Sequence, residues 1–188
     1  MTAVKICIGG VLVDSTAVAQ ARIGGVWVDF GPGDPDPGDQ SLFTGETPFG
    51  IAEDGLALSQ GVRFRSSRNG NISMGRWYFG SSPPTTAKCA IYRVSDMAQL
   101  KTATFGAPTA NAWNNAAFTP VVPITAGVDY MAVGWTQNRY PYTPSYPWPH
   151  VSGDLTADGA YFVAAADLAF PTSPTTLNLF CDFVFNRA

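Results

Sequence analysis

His150 is the only histidine in the 188-residue chain, so imidazole chemistry has a single place to occur. Its surroundings do not complete a nucleophilic set. It follows Pro149, the sequence holds no Gly-x-Ser-x-Gly elbow, and no phosphate loop or metal-spaced His/Cys cluster occurs. Paired carboxylates for glycoside hydrolysis would have to come from Glu46, Glu53, Asp54, Asp96, Asp129, Asp154, Asp158, Asp167 and Asp182. Most of these fall at predicted turns or strand ends, where Asp serves the backbone. Asp34, Asp36 and Asp39 suggest a calcium loop, but the terminal bidentate Glu and the flanking helices of an EF-hand are missing. Cys7, Cys89 and Cys181 are too few and too widely spaced for a disulfide framework or a zinc site. They read as reduced, partly buried thiols, with Cys89 and Cys181 on core strands that could bring them together. The expectation is a non-enzymatic chain with no cofactor and no metal.

The stretch Arg139–His150 offers binding rather than catalysis. Tyr140, Tyr142, Tyr146 and Trp148 alternate with four prolines and run into His150. Proline stiffens the backbone and removes donors, which excludes a central strand and predicts a rigid loop carrying rings. Three uses follow: stacking on a sugar, anchoring a protein interface, or covering the end of the core. Tyr140, Tyr142, Tyr146, Trp148 and His150 are the candidate ligand-binding residues. Arg63, Arg65 and Arg68 form the densest basic group. Alternation with Val62 and Phe64 puts Arg63 and Arg65 on a solvated strand face; an acidic partner is the second reading.

The elements that must position these residues are β-strands. Ile8-Gly9-Gly10-Val11-Leu12-Val13-Asp14 recurs fifteen residues later as Ile23-Gly24-Gly25-Val26-Trp27-Val28-Asp29. Each Gly-Gly between β-rich runs suits a two-residue hairpin turn with positive φ at both centres. Two tandem hairpins are expected, Val4–Ile8 with Val11–Asp14 and Ala19–Ile23 with Val26–Phe30. Hairpins this short need a surface to pack on. Ile6, Ile8, Gly9, Gly10, Val11, Ile23, Gly24, Gly25, Val26 and Trp27 are therefore the candidate anchoring residues. They dock on another protein, by strand addition for example, or fold back on their own domain. Residues 31–39, with three prolines and three aspartates, read as a solvated tether reaching at most about 28 Å.

Residues 40–188 read as one domain. β runs recur at Val62–Arg65, Ile72–Phe79, Lys88–Val94, Lys101–Phe105, Asn115–Val122, Asp129–Thr136 and Ala160–Ala164. Gly75 is a candidate bulge, and residues 95–100 a loop or one helical turn. In the last run Leu177, Leu179, Cys181, Phe183 and Phe185 share one face, with Asn178, Phe180, Asp182 and Val184 on the other. About eight antiparallel strands without a convincing helix imply an all-β, antiparallel, jelly-roll-like β-sandwich behind a hairpin arm.

Composition agrees. Apolar residues make up 46%, enough for a core, while charged residues are only 13%, and nineteen glycines and fifteen prolines supply turns. A net charge of −3 without a basic run argues against nucleic acid. No run is long and apolar enough to cross a bilayer. No basic-then-apolar signal peptide opens the chain, so it is expected to stay in the cytoplasm where it is made unless it leaves within a particle.

Two resemblances add to this reading. Gly61-Val62-Arg63-Phe64-Arg65-Ser66, Arg76-Trp77-Tyr78-Phe79, Thr102–Phe105, Trp113 before Asn115–Phe118, Pro123–Ala126 leading into Asp129-Tyr130, and Phe170–Ser173 resemble a family of unknown function. Its members occur as β-sandwich modules in secreted or surface proteins of bacteria, often beside carbohydrate-active domains. The resemblance implies a sandwich fold and, by analogy alone, sugar binding. The repeated arm is similar to the openings of small virion proteins from phages of actinobacteria, whose minor tail proteins carry Gly-Gly-Val-Trp hairpins near their start. That implies a virion structural protein in the tail, as a minor tail or fibre component, or decorating the capsid. Residues 1–30 would hold other virion proteins, and the sandwich would face a host cell-wall glycan. A homo-oligomer in the particle, with a trimer as the resemblance's guess, follows from the symmetry of such assemblies. A carbohydrate-binding module unconnected to a virion is the alternative.

Overall fold

A computed structural model describes residues 38–53 and 55–188 in full, and the backbone of four strands within the first thirty residues. The chain divides into two compact units, Met1–Pro37 and Gly38–Ala188. In the first, β1 (Lys5–Ile8) pairs antiparallel with β2 (Val11–Asp14), and β3 (Ala19–Ile23) with β4 (Val26–Phe30). Ile8 opposes Val11 and Ile23 opposes Val26, so each connection is two residues, as the Gly-Gly spacing predicts. Gly9-Gly10, Gly24-Gly25, Val4, the tether residues 31–37 and Asp54 lie outside the described residues. So do the side chains of Ile6, Cys7, Ile8, Val11, Ile23, Val26 and Trp27.

The second unit is a β-sandwich without helix among the described residues. Its strands are β5 (Gly50–Glu53), β6 (Leu58–Ser66), β7 (Gly70–Phe79), β8 (Ala87–Arg93), β9 (Ala98–Thr104) and β10 (Ala112–Ile124). They continue with β11 (Tyr130–Thr136), β12 (Arg139–Tyr142), β13 (His150–Ser152), β14 (Leu155–Ala164), β15 (Ser173–Thr175) and β16 (Cys181–Arg187). The smaller sheet runs β10-β7-β16. The larger runs β13-β14-β6-β11-β8-β9, with β15 also on β14, while β12 and β5 form a separate ribbon. Every pairing is antiparallel.

Alternation explains which side chains meet between the sheets. Val62 and Phe64 of β6 are buried, and Phe64 lies 4.0 Å, centroid to centroid, from Phe183 of β16. Trp77 of β7 is fully buried beneath β11, where a Cβ on Gly134 would come within 2.8 Å of the indole. Gly75 plays the same part, and here the expected bulge is corrected. Gly75 pairs regularly with Ala116 and Phe183, and both ladders of β7 slip at Ser73 instead. What Gly75 provides is room, since a Cβ there would sit 2.4 Å from the Cys89 sulfur. Cys89 and Cys181 are free and buried, and burial pushes the Cys89 thiol up to about 12 and the Cys181 thiol upward as well. On the outer face of the large sheet, Arg63 grips Asp158 through two bonds of 2.7 and 2.8 Å, and Arg65 reaches Asp158 and Asp129.

Two other expectations change. Residues 94–97 form a tight turn with Met97 at φ 56, and β9 starts at Ala98, earlier than Lys101. The final strand begins at Cys181, because Phe180 takes φ 52 and Asn178 bridges to Thr143. Asp182, on the face opposite Phe183, is 2% exposed. The cause is the chain just after the tether. Gln40 pairs with Phe185 in both directions at 2.8 Å, and the amides of Leu42 and Phe43 donate to the Asp182 carboxylate at 2.9 and 3.3 Å.

Gln40 also closes a clasp. Its amide nitrogen donates to Asp154 at 2.7 Å, its oxygen accepts from the Asp154 N–H at 2.8 Å, and Arg187 donates to the same carboxylate at 2.6 and 2.9 Å. The Arg187 guanidinium holds the Asp154 carboxyl down at about 2, against an ordinary 3.8. A depressed carboxyl stabilises the fold above its ordinary value and loses that contribution as pH falls towards the folded one. Urea titrations should therefore show unfolding free energy dropping by about 1–2 kcal/mol between pH 4 and pH 2. Asp154→Asn should remove that slope; an unchanged slope would show that the clasp does not set it.

Candidate functional site

Phe43, fully buried, is the base on which the aromatic loop is built. Trp113 of β10 lies nearly parallel to it at 6.4 Å. Tyr146 and Trp148 meet it edge-on at 5.9 and 6.4 Å, and His150 and Phe180 lie tilted against it at 5.3 and 5.8 Å. The loop backbone is fixed at its start, where Thr143 and Asn178 exchange bonds of 3.0 and 2.9 Å, and again where the Tyr146 N–H donates to Thr176 at 2.9 Å.

A polar chain crosses this cluster. The Tyr146 hydroxyl donates to the Glu46 carboxylate, 2.9 and 3.0 Å from its oxygens, and sits 3.1 Å from His150 Nδ1. His150 Nε2 is 2.8 Å from the Leu42 carbonyl. A carbonyl only accepts, so the proton of this contact sits on Nε2, which donates to Leu42. Burial, reinforced by the Glu46 charge, pushes the Tyr146 phenol well above its ordinary value. The hydroxyl is therefore held protonated, and the chain fastens the loop to residues 42–46 rather than presenting a nucleophile.

The structure thus brings Tyr146, Trp148 and His150 together, half buried, over one end of the core. It separates them from Tyr140 and Tyr142, which lie on β12. The expected loop is a strand there: Pro141 opposes Ile51 of β5 in a two-stranded ribbon, where each strand has an unpaired side that tolerates proline. Tyr142 packs 6.1 Å from Phe49, which is 75% exposed, so this pair presents an aromatic surface to solvent. Tyr140 lines a separate apolar cavity.

Sequence reasoning missed Phe43 and Phe49, met Glu46 only as a candidate carboxylate, and met Arg76 and Trp113 only within the family resemblance. Arg76 lies 4.6 Å over the Trp113 ring and pairs with Asp182 at 2.9 Å. The Glu46 carbonyl accepts from the Trp113 indole at 3.3 Å. The only available signal was the apolar pair Leu42-Phe43 directly after the tether. Among the described residues, no group of His, Cys, Asp or Glu is arranged to hold a metal ion.

In comparisons with known proteins, a model for a domain of unknown function, DUF4082, matches residues 46–180. No curated protein matches the chain.

Proposed function

Starting from a chain that belongs to the DUF4082 family, whose description assigns no activity, we propose a structural role without catalysis. The protein is a phage virion component, a minor tail or fibre protein, held in the particle by residues 1–30 and displaying the sandwich outward. The observation that carries this reading is the division of the chain at Pro37 into a unit of two isolated hairpins and a complete sandwich. Two-stranded hairpins are marginal in water and call for a partner surface. The sandwich's acids support the same reading, since Glu53, Asp96, Asp154, Asp158, Asp167 and Asp182 all sit in ion pairs with nearby Arg or Lys. A homo-oligomer, a trimer in a tail fibre, suits the symmetry of such particles. Decoration of the capsid uses the same anchor at another location.

Deleting residues 1–30 should leave the sandwich folded and reduce its incorporation into particles at least tenfold, measured by immunoblot of purified virions. Normal incorporation would sink the anchoring role. A second reading, a carbohydrate-binding module, is favoured by the exposed Phe49 ring beside Tyr142. On that reading the full chain binds host cell-wall glycan, and Phe49→Ala weakens binding several-fold. A glycan array blank for the intact protein disposes of it.

A further inference from the structure

We infer that the open edge of the sandwich binds a small monoanion, a carboxylate on an apolar body, through Lys101 and Tyr130. The site is a groove of about 450 Å³, within the range of ligand pockets. It lies where the outermost strands of the two sheets, β9 and β10, approach each other. Leu100 of β9 and Pro120, Val121 and Pro123 of β10 make its apolar side, and Val121 is 45% exposed. Its polar side comes from Arg93, Lys101, Thr125 and Tyr130.

That polar side is short of acceptors. Arg93 is already matched, because Asp96 takes two of its N–H groups at 2.6 and 3.0 Å. Asp129, next to Tyr130 in sequence, has its carboxylate 3.8 Å from Arg65. The half-buried Lys101 has neither ion pair nor hydrogen bond among the described residues, so its charge is left uncompensated. Tyr130 is 4% exposed, and its hydroxyl accepts the Thr125 N–H at 3.1 Å. The hydroxyl also interacts electrostatically with the Arg93 guanidinium. Thr125 and Arg93 both line the groove, which places the hydroxyl at the groove rather than behind it. Its own proton has no acceptor among the described residues, which is uncommon for a buried polar group. One unmatched positive charge and one unused O–H call for a group that only accepts and carries a single negative charge. A carboxylate is that group. A phosphate dianion would bring in a second charge without a partner. The leucine, valine and prolines take an apolar body, so the ligand is a small aliphatic or aromatic acid.

The test uses the full chain with benzoate and its neutral isostere benzamide at neutral pH. In ¹H–¹⁵N spectra, benzoate should shift the backbone amides of Lys101, Val121 and Thr125 saturably. Benzamide should bind about tenfold more weakly, the factor expected for a charge-assisted bond. Lys101→Met keeps the apolar stem; it should weaken benzoate about tenfold and leave benzamide unchanged. Tyr130→Phe should weaken benzoate about fivefold, the effect of one hydrogen bond, with the fold checked in the same spectra. Equal binding of the two probes by the native chain, shifts that never saturate, or full affinity in either variant would each overturn the inference. Acetate or inorganic phosphate competing as well as benzoate would also overturn it, since the apolar body would then count for nothing. None of these outcomes bears on the anchoring of residues 1–30.

Discussion

Asp182→Ala lowers the unfolding free energy by about 3–5 kcal/mol in urea titrations, the range for removing one partner of a buried pair. The carboxylate takes Arg76 and two backbone amides, so its loss strands a guanidinium that is 15% exposed and the N–H groups of Leu42 and Phe43. The pH behaviour identifies the cause. Burial pushes the Asp182 carboxyl up to about 6, against the pull of Arg76 and the amides, from an ordinary 3.8. The folded chain then binds the proton more tightly than the unfolded one, so this group's contribution is full below about pH 4 and is lost as pH rises through 6. That is opposite in sign to the Asp154 effect and occupies a different window. The variant should lack the decline between pH 4 and 6; if it keeps that decline, another group causes it.

Phe43→Ala should cost a similar amount, about 3–5 kcal/mol, because a fully buried ring leaves a cavity. Its distinctive effect is on the loop. Five aromatic rings rest on Phe43, and Tyr146, Trp148 and His150 of the loop are three of them. The near-UV circular dichroism of the native state should fall sharply while the far-UV spectrum is kept. Val151→Ala, in the adjoining strand and 64% exposed, should change stability by less than about 0.5 kcal/mol and leave both spectra intact. Unchanged near-UV signal in Phe43→Ala would show that the loop is ordered without its base.

Both residues show where sequence reasoning reaches its limit. The sandwich is legible because β7 alternates along most of its length and β6 from Val62 to Ser66, and the arm's pairing is legible because a repeated Gly-Gly fixes loop length. Asp182 is also placed correctly by alternation, on the face opposite Phe183. What alternation cannot show is that residues 40–43 arrive on that face from 140 positions away. The same holds for Glu46, whose partner Tyr146 is 100 positions distant. Leu177 and Leu179 continue the period of β16, but the positive φ of Phe180 ends the strand, and apolar spacing carries no sign of that. The prolines of residues 141–149 correctly exclude a central strand and hide a ribbon strand at Arg139–Tyr142.

The fastening of Gln40 has a mechanical consequence. Tension reaching the sandwich through Gly38 meets the paired backbone bonds to Phe185, the Gln40–Asp154–Arg187 clasp and the amides held by Asp182 within six residues. These contacts join the entry of the chain to its last strand and share the load. In single-molecule pulling from the N-terminal side, the sandwich should yield in one high-force event rather than peel, with Asp182→Ala and Arg187→Ala lowering that force. A module built this way resists being dragged open by tension applied along the chain.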